Sequence, residues 1–380
     1  MTQAFDSVSL LQSLIRFPSV SSTSNVAVTE AIEKVLSSLG FTLARCDYFD
    51  VNGVVKANLI ASRGEGPGGL AYFCHTDVVP ADEWSGPGAA FKPTLVDDRI
   101  YGRGSCDMKG SLVAMIAAIS QIDAKSQTAP IHVICTADEE VAFVGAKHLV
   151  AHSPHYRELV QAQPLAIIGE PTGCDVVHAH KGIFVFRVIS RGRAAHSSTR
   201  EGINANHAMV PMLNELLRLY QLSETDRSLQ DDRFDPPTLS WNFGVSDRAR
   251  ASNIVPAQSV AWVSLRTMPS IDGETLVAAV AAKAKELGLE FRREKGGGVV
   301  WIDPESPVIR EMCEVANCEH AKTVCYGTDG GEFTELKNMV ICGPGDIAQA
   351  HTSDEFLTLE QLARGTEIYA RAIRRWCTTR

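Results

Sequence analysis

The sequence predicts an α/β protein with an open, mostly parallel sheet flanked by helices and an inserted α+β domain. Three observations lead there. Short apolar β-rich runs alternate with helical patterns over the first 180 residues, the rhythm changes after His178, and it returns from about residue 300.

The first seventeen residues, MTQAFDSVSLLQSLIRF, set Asp6 before an apolar periodicity and read as an amphipathic helix. They lack the basic segment and small-residue cleavage site of a signal peptide. Strands follow at Asn58–Ser62 and Leu70–Cys74, a helix at Ser111–Ile122, a strand at Ile131–Thr136, a helix at Ala142–His152 and a strand at Leu165–Ile168. Beyond His178 come a strand at Ile183–Ser190, a long helix at Asn204–Tyr220, strands at Thr238–Val245 and Ser259–Leu265, a helix at Gly273–Leu287 and a closing strand at Glu290–Arg293. That β-α-β-β-α-β order is that of a small α+β unit. The polar stretch 223–237 is a loop within it. The α/β rhythm resumes with a helix near Val308–Asn317, strands near Thr323–Tyr326 and Met339–Cys342, and a last helix at Leu359–Trp376. Residues 1–179 and 293–380 would form one discontinuous domain, and 180–292 the insert.

The 380 residues are 45% hydrophobic and 21% charged, which excludes disordered and collagen-like classes. Thirty-six Lys and Arg against 45 Asp and Glu give a net charge of −9, so nothing draws the chain generally to nucleic acid or anionic lipid. No apolar run approaches a membrane span. The ten cysteines form no CxxC pair, and several sit in apolar strand-like runs, as buried free thiols do. The expectation is a reduced, cytoplasmic protein.

Four predicted strands end alike. LAYFC leads into His75-Thr76-Asp77, IHVICTA into Asp138-Glu139-Glu140, LAIIG into Glu170-Pro171-Thr172, and MVICGPG leads on to His351; Asp107 lies in YGRGSCDMKG ahead of a helix. In an open parallel sheet the functional crevice lies beyond the carboxyl ends of the strands, so these side chains should converge. Mixed imidazole and carboxylate donors suit zinc, cobalt or manganese. Two ions about 3.5–4 Å apart need a bridging carboxylate and terminal ligands on both sides. His75, Asp107, Glu140, Glu170 and His351 supply that number. Glu139 is then a spare carboxylate able to move a proton, and Asp77 can accept the second imidazole N–H of His75.

Each feature has a plainer reading. An acidic run after a strand can be a solvated helix start, and His75 or His351 could be core histidines. The recurrence at several strand ends favours a site. His196 in RAAHSS reads, by itself, as an ordinary loop histidine. GRGSCDMKG fits neither a P-loop nor a dinucleotide fingerprint, and Ser197–Ser198 lack a nucleophile elbow. A non-catalytic metal- or peptide-binding protein would be expected to show damage to the ligand set or base, and here both are intact.

The stretches CHTDVVP (74–80), YGRGSCDMKG (101–110), TADEE (136–140), IGEPT (168–172), HKG (180–182), AAHSS (194–198), ASNIVP (251–256), LRTMPS (265–270) and GPGDIAQAHTSDEF (343–356) resemble, in order, the M20 family of co-catalytic metallo-aminoacylases and peptidases. Within it the chain looks most like the acetylornithine deacetylase branch. The resemblance implies that His75 and Glu170 hold one ion and Glu140 and His351 the other, with Asp107 bridging and a cis peptide after it. It implies Glu139 as general acid and base, Asp77 as orienting acid, and His196 as a donor to the oxyanion of a partner subunit's site. The insert would then be a lid and dimerisation domain. Asn253 and Arg266 match substrate contacts, Arg266 as a carboxylate clamp, and the resemblance implies that Lys181 faces the ligand. The segment YGTDGGEF (326–333) departs from the branch: Gly330 and Gly331 resemble the glycine-rich loop of succinyl-diaminopimelate desuccinylases, while the ending also resembles N-acetylcitrulline deacetylases. The implied activity is removal of an acyl group from a small N-acyl amino acid, with zinc or cobalt, or manganese, as cofactor, in a homodimer. The alternatives are an N-acetylcitrulline deacetylase, a succinyl-diaminopimelate desuccinylase, and a dipeptidase or carboxypeptidase.

Overall fold

The computed structural model describes residues 5–248, 251–294 and 296–379 and divides the chain into two units. The first comprises 1–179, 301–322 and 328–380; the second comprises 180–300 and 323–327.

The first unit is built on a large sheet. The principal strands of this nine-stranded sheet are β1 (Thr42–Arg45), β2 (Leu59–Arg63), β3 (Leu70–His75), β4 (Ile131–Thr136), β5 (Leu165–Ile168), β6 (Val177–His180) and β7 (Met339–Ile341), in the spatial order β1-β2-β4-β3-β5-β7-β6. The four inner strands β4, β3, β5 and β7 are parallel, whereas β1, β2 and β6 join antiparallel. The sheet is therefore mixed, parallel where the sequence shows continuous apolar strands and antiparallel at its margins. β2 and β3 are joined by a short link with no crossover helix, so they cannot be parallel neighbours, and β4 lies between them.

All six residues of β3 are buried, as expected for a strand covered on both faces. The helix Gly110–Ser120, GSLVAMIAAIS, is apolar almost all round and buried over its first ten residues. It packs against the strongly amphipathic C-terminal helix Leu359–Cys377, which Thr358 caps by accepting the N–H of Gln361. At the N-terminus, Asp6 caps Ser7–Ile15 by accepting the N–H of Ser9, and Leu11, Leu14 and Ile15 enter the core. A small antiparallel sheet, with Arg99–Tyr101 between Thr94–Val96 and Phe356–Thr358, lies beside the segment that carries Asp107.

The second unit is a four-stranded antiparallel sheet in the order Ser240–Ser246, Gln258–Thr267, Gly182–Arg191, Glu290–Arg293. Burial alternates along Gln258–Thr267: Ser259, Ala261, Val263, Leu265 and Thr267 turn inward, and Trp262 turns out. The helices Ala205–Thr225 and Gly273–Glu286 pack on this sheet. The first of them runs five residues beyond Tyr220, shortening the loop expected at 223–237, and Asp272 caps the second. All ten cysteines are free thiols. Among the described residues no helix is long and apolar enough to cross a membrane.

Candidate metal centre

The parallel strands deliver the site. His75 is the last residue of β3, Asp138–Glu140 follow β4, Glu170 follows β5, and His351 lies in the loop after β7. Asp107 comes from the turn Ser105–Lys109, whose backbone departs from helical angles at Asp107 and Met108 and contains a cis Asp107–Met108 peptide bond.

Asp107 sits between two imidazoles. Its Oδ1 is 2.9 Å from His75 Nε2, and its Oδ2 is 3.3 Å from His351 Nε2. His351 Nε2 is also 3.0 Å from Glu140 Oε2, and His75 Nε2 is 3.9 Å from Glu170 Oε1. Among the described residues three donor groups emerge, each with ligand atoms within 4.8 Å of one another: His75–Asp107–Glu170, His75–Glu139–Glu140 and Asp107–Glu140–His351. The first and third share Asp107.

The electrostatics of this cluster call for cations. Asp107, Glu139, Glu140 and Glu170 crowd around only two imidazoles. Burial, with the charges of Glu170 and Glu140, pushes the Glu139 carboxyl well above its ordinary range, against the pull of His75. Burial and Asp107 do the same to Glu170. Hydrogen bonds to Asp107 and Glu140 raise His351 to about 10. Burial pulls the other way on His75, but Asp107 and Glu170 carry it well above the ordinary histidine value. Buried carboxylates crowded around imidazoles are donors that divalent ions would satisfy, and the donor set fits zinc, cobalt or manganese.

The surroundings depart from expectation in places. His75 Nδ1 bonds the backbone carbonyl of Asp77 at 2.9 Å, while the Asp77 carboxylate is 3.7 Å away. That carboxylate instead accepts the N–H of Glu139 at 3.1 Å and of Glu140 at 3.4 Å, and the Ser21 hydroxyl at 2.7 Å. The imidazole is oriented by the main chain of residue 77, and the side chain holds the acidic loop. Lys181 is turned wholly inward within the second unit: its ammonium donates to the carbonyls of Pro236 at 3.1 Å and Thr238 at 2.7 Å. It holds that loop.

Gly330 and Gly331 lie in a buried turn, Asp329–Gly331, capped by Thr328. In the second unit, His196 and Asn253 are brought together, since Ser197 N–H donates to Asn253 O at 2.9 Å and His196 bridges Ile254. His196 is exposed, its Nδ1 2.7 Å from Ser198 Oγ. Arg266 lies on Gln258–Thr267 opposite Ile183 and Ser240. Its charge adds to burial in lowering the neighbouring His180 to about 4.

Several supporting groups went unread in the sequence. Lys56 Nζ is 2.6 Å from Asp138 Oδ1, and Tyr48 donates to Asp138 Oδ2 at 2.8 Å. Asp138 is at φ 55°, the left-handed conformation, which aims the following Glu139 and Glu140. Asp329 accepts the Thr136 hydroxyl at 2.5 Å, and burial raises it to about 7. Its place beside the glycine pair was the available signal. Glu355 lies in the matched stretch 343–356, but nothing in that stretch marked its role.

A mixed α/β sheet with a carboxylate shared between imidazoles beyond its strand ends is a candidate metal site, and the chain's family and relatives make it a metal-dependent hydrolase. The chain belongs to the peptidase family M20/M25/M40, whose profile matches residues 71–375. It is 33% identical over 388 residues to the acetylornithine deacetylase of Pasteurella multocida (strain Pm70), covering 97% of each chain. It is 32% identical over 383 residues to the acetylornithine deacetylase of Myxococcus xanthus, covering 97% of this chain and 96% of the other. Among solved structures it is similar to an M20 family metallo-carboxypeptidase from Sulfolobus solfataricus, with a TM-score of 0.76 and 17% identity over 97% of this chain and 99% of that one.

Proposed function

We propose that the chain is a two-metal amidohydrolase that removes the acetyl group from N2-acetylornithine, a step of arginine biosynthesis, in the cytoplasm. The observation that carries the reaction class is Asp107, with one carboxylate oxygen toward His75 and the other toward His351. The substrate reading is supported by the relatives described above, which are acetylornithine deacetylases.

His75 and Glu170 would hold one ion, Glu140 and His351 the other, and Asp107 both. Zinc or cobalt suits this set, and manganese is compatible with it. Bound ions supply Lewis acidity toward an amide oxygen and acidify water. Glu139, buried and raised in pKa, takes the proton of the attacking water and returns it to the departing amine nitrogen. Its raised pKa suits both halves of that transfer. Asp77 holds the Glu139–Glu140 backbone through two N–H bonds while these steps occur. His196 donates to the oxyanion developing in the facing copy of a homodimer. In the second unit Arg266 clamps the substrate carboxylate and Asn253 is a further substrate contact; in the first unit the Gly330–Gly331 turn is a substrate contact of its own.

A panel of N-acyl amino acids and dipeptides, assayed with zinc, cobalt and manganese after chelation, tests the reading. Preferred hydrolysis of N2-acetylornithine supports it. Preference for N-acetylcitrulline, N-succinyl-diaminopimelate or a dipeptide would replace the substrate and leave the metal centre standing.

A further inference from the structure

Glu355 is completely buried, yet it belongs to none of the three donor groups around Asp107. Its carboxylate accepts four hydrogen bonds. Oε1 takes the backbone N–H of Cys106 at 2.8 Å and of Asp107 at 3.0 Å. Oε2 takes the backbone N–H of Gly104 at 2.9 Å and the Arg103 guanidinium at 2.7 Å. Every donor comes from the segment that ends at Asp107.

That segment needs such a partner. Gly104 is at φ 82°, and Asp107 and Met108 leave the helical region, so these amides point inward away from regular pairing. Buried amides without acceptors are costly, and here one carboxylate serves three of them. The position of Glu355 is itself fixed, because Phe356 pairs with Tyr101 and the N–H of Gly102 donates to the Glu355 carbonyl at 3.0 Å. A larger residue at Gly104 would be strained, because of its φ of 82° and because a Cβ would meet Val78 Cγ1 at 2.8 Å.

We infer that Glu355 is a positioning residue that fixes the backbone at Asp107 and so directs its two oxygens to His75 and His351. The inference rests on the two-metal reading, because its consequence is a change in how Asp107 serves as a ligand. Glutamine at 355 keeps the size but turns an amide N–H₂ toward backbone N–H groups or the guanidinium, so one oxygen's pair of bonds is lost.

The test is titration of metal-free wild type, Glu355→Gln and Glu355→Asp with Co(II), read by visible absorption, followed by kcat and KM on the preferred substrate. For Glu355→Gln the expected result is a Co(II) affinity and kcat each lowered about 10–100-fold, an altered d–d spectrum and a KM that changes little. Glu355→Asp retains the charge at shorter reach and should fall between the two. It carries the test alone if the glutamine variant does not fold. Variants with the wild-type spectrum, affinity and kcat, whatever their melting temperature, overturn the inference alone. Wild type that binds no Co(II) overturns the reading beneath it.

Discussion

Asp107 and His351, distant in sequence, meet with Oδ2 3.3 Å from Nε2, while the second oxygen of the same carboxylate faces His75. One side chain is thereby common to two donor groups. Asp107→Asn keeps the shape and removes the charge, leaving a single carbonyl oxygen as donor. Metal content after dialysis is expected to fall below that of wild type, with activity lost in step. Elemental analysis checks it.

Ligation requires neutral imidazoles, and in the metal-free chain the hydrogen bonds to Asp107 and Glu140 hold His351 protonated up to about pH 10. Metal binding near neutral pH should therefore release protons and weaken as pH falls. Calorimetry in buffers of different ionisation enthalpy measures the release. Because this folded-state value is raised above the ordinary value of about 6.5, its stabilisation is complete below that pH. It is lost as pH rises through about 10. The metal-free chain should lose thermal stability across that window, and the loaded chain, whose imidazoles carry no such proton, should be less affected.

Glu139 is buried beside His75 and Glu140, with a carboxyl raised well above its usual range. Glu139→Gln cannot accept the proton of the attacking water. Turnover is expected to fall by about 10²–10⁴-fold with unchanged metal content. Wild-type turnover in a metal-loaded Glu139→Gln variant would remove Glu139 from the proposed role.

Lys56 and Asp138 form a buried ion pair at 2.6 Å, and the Lys56 ammonium also serves the carbonyls of Ser21 and Thr23. Lys56→Met leaves Asp138 next to Glu139 without its cation, with the Tyr48 hydroxyl still donating to its other oxygen. Removing one partner of a buried pair costs about 3–5 kcal/mol, which denaturant unfolding would detect. The loop that carries Glu139 and Glu140 would loosen, so kcat should fall as well.

The inner strands were legible because they are unbroken apolar runs, and the first-rank polar groups were legible because those runs end in acids and histidines. The short ladder of 94–96, 99–101 and 356–358 was not, since its few, partly exposed residues carry no clear alternation. Glu355, Asp138 and Lys56 were hidden for another reason. Their partners are chiefly backbone groups or residues far along the chain, and a backbone amide leaves no trace in residue type. Asp77 shows the same limit: its spacing from His75 suggested a bond to the ring, but the main chain takes that bond and the carboxylate turns to the amides of 139 and 140. Lys181 was singled out only through the resemblance of its HKG segment, and the two carbonyls that its ammonium bonds leave no trace in residue type.

The most direct measurement is anomalous diffraction at the zinc edge from crystals grown with zinc. Two peaks about 3.5–4 Å apart, one on each side of the Asp107 carboxylate, are expected. A single peak, or peaks that Asp107 does not touch, would contradict the shared-carboxylate centre.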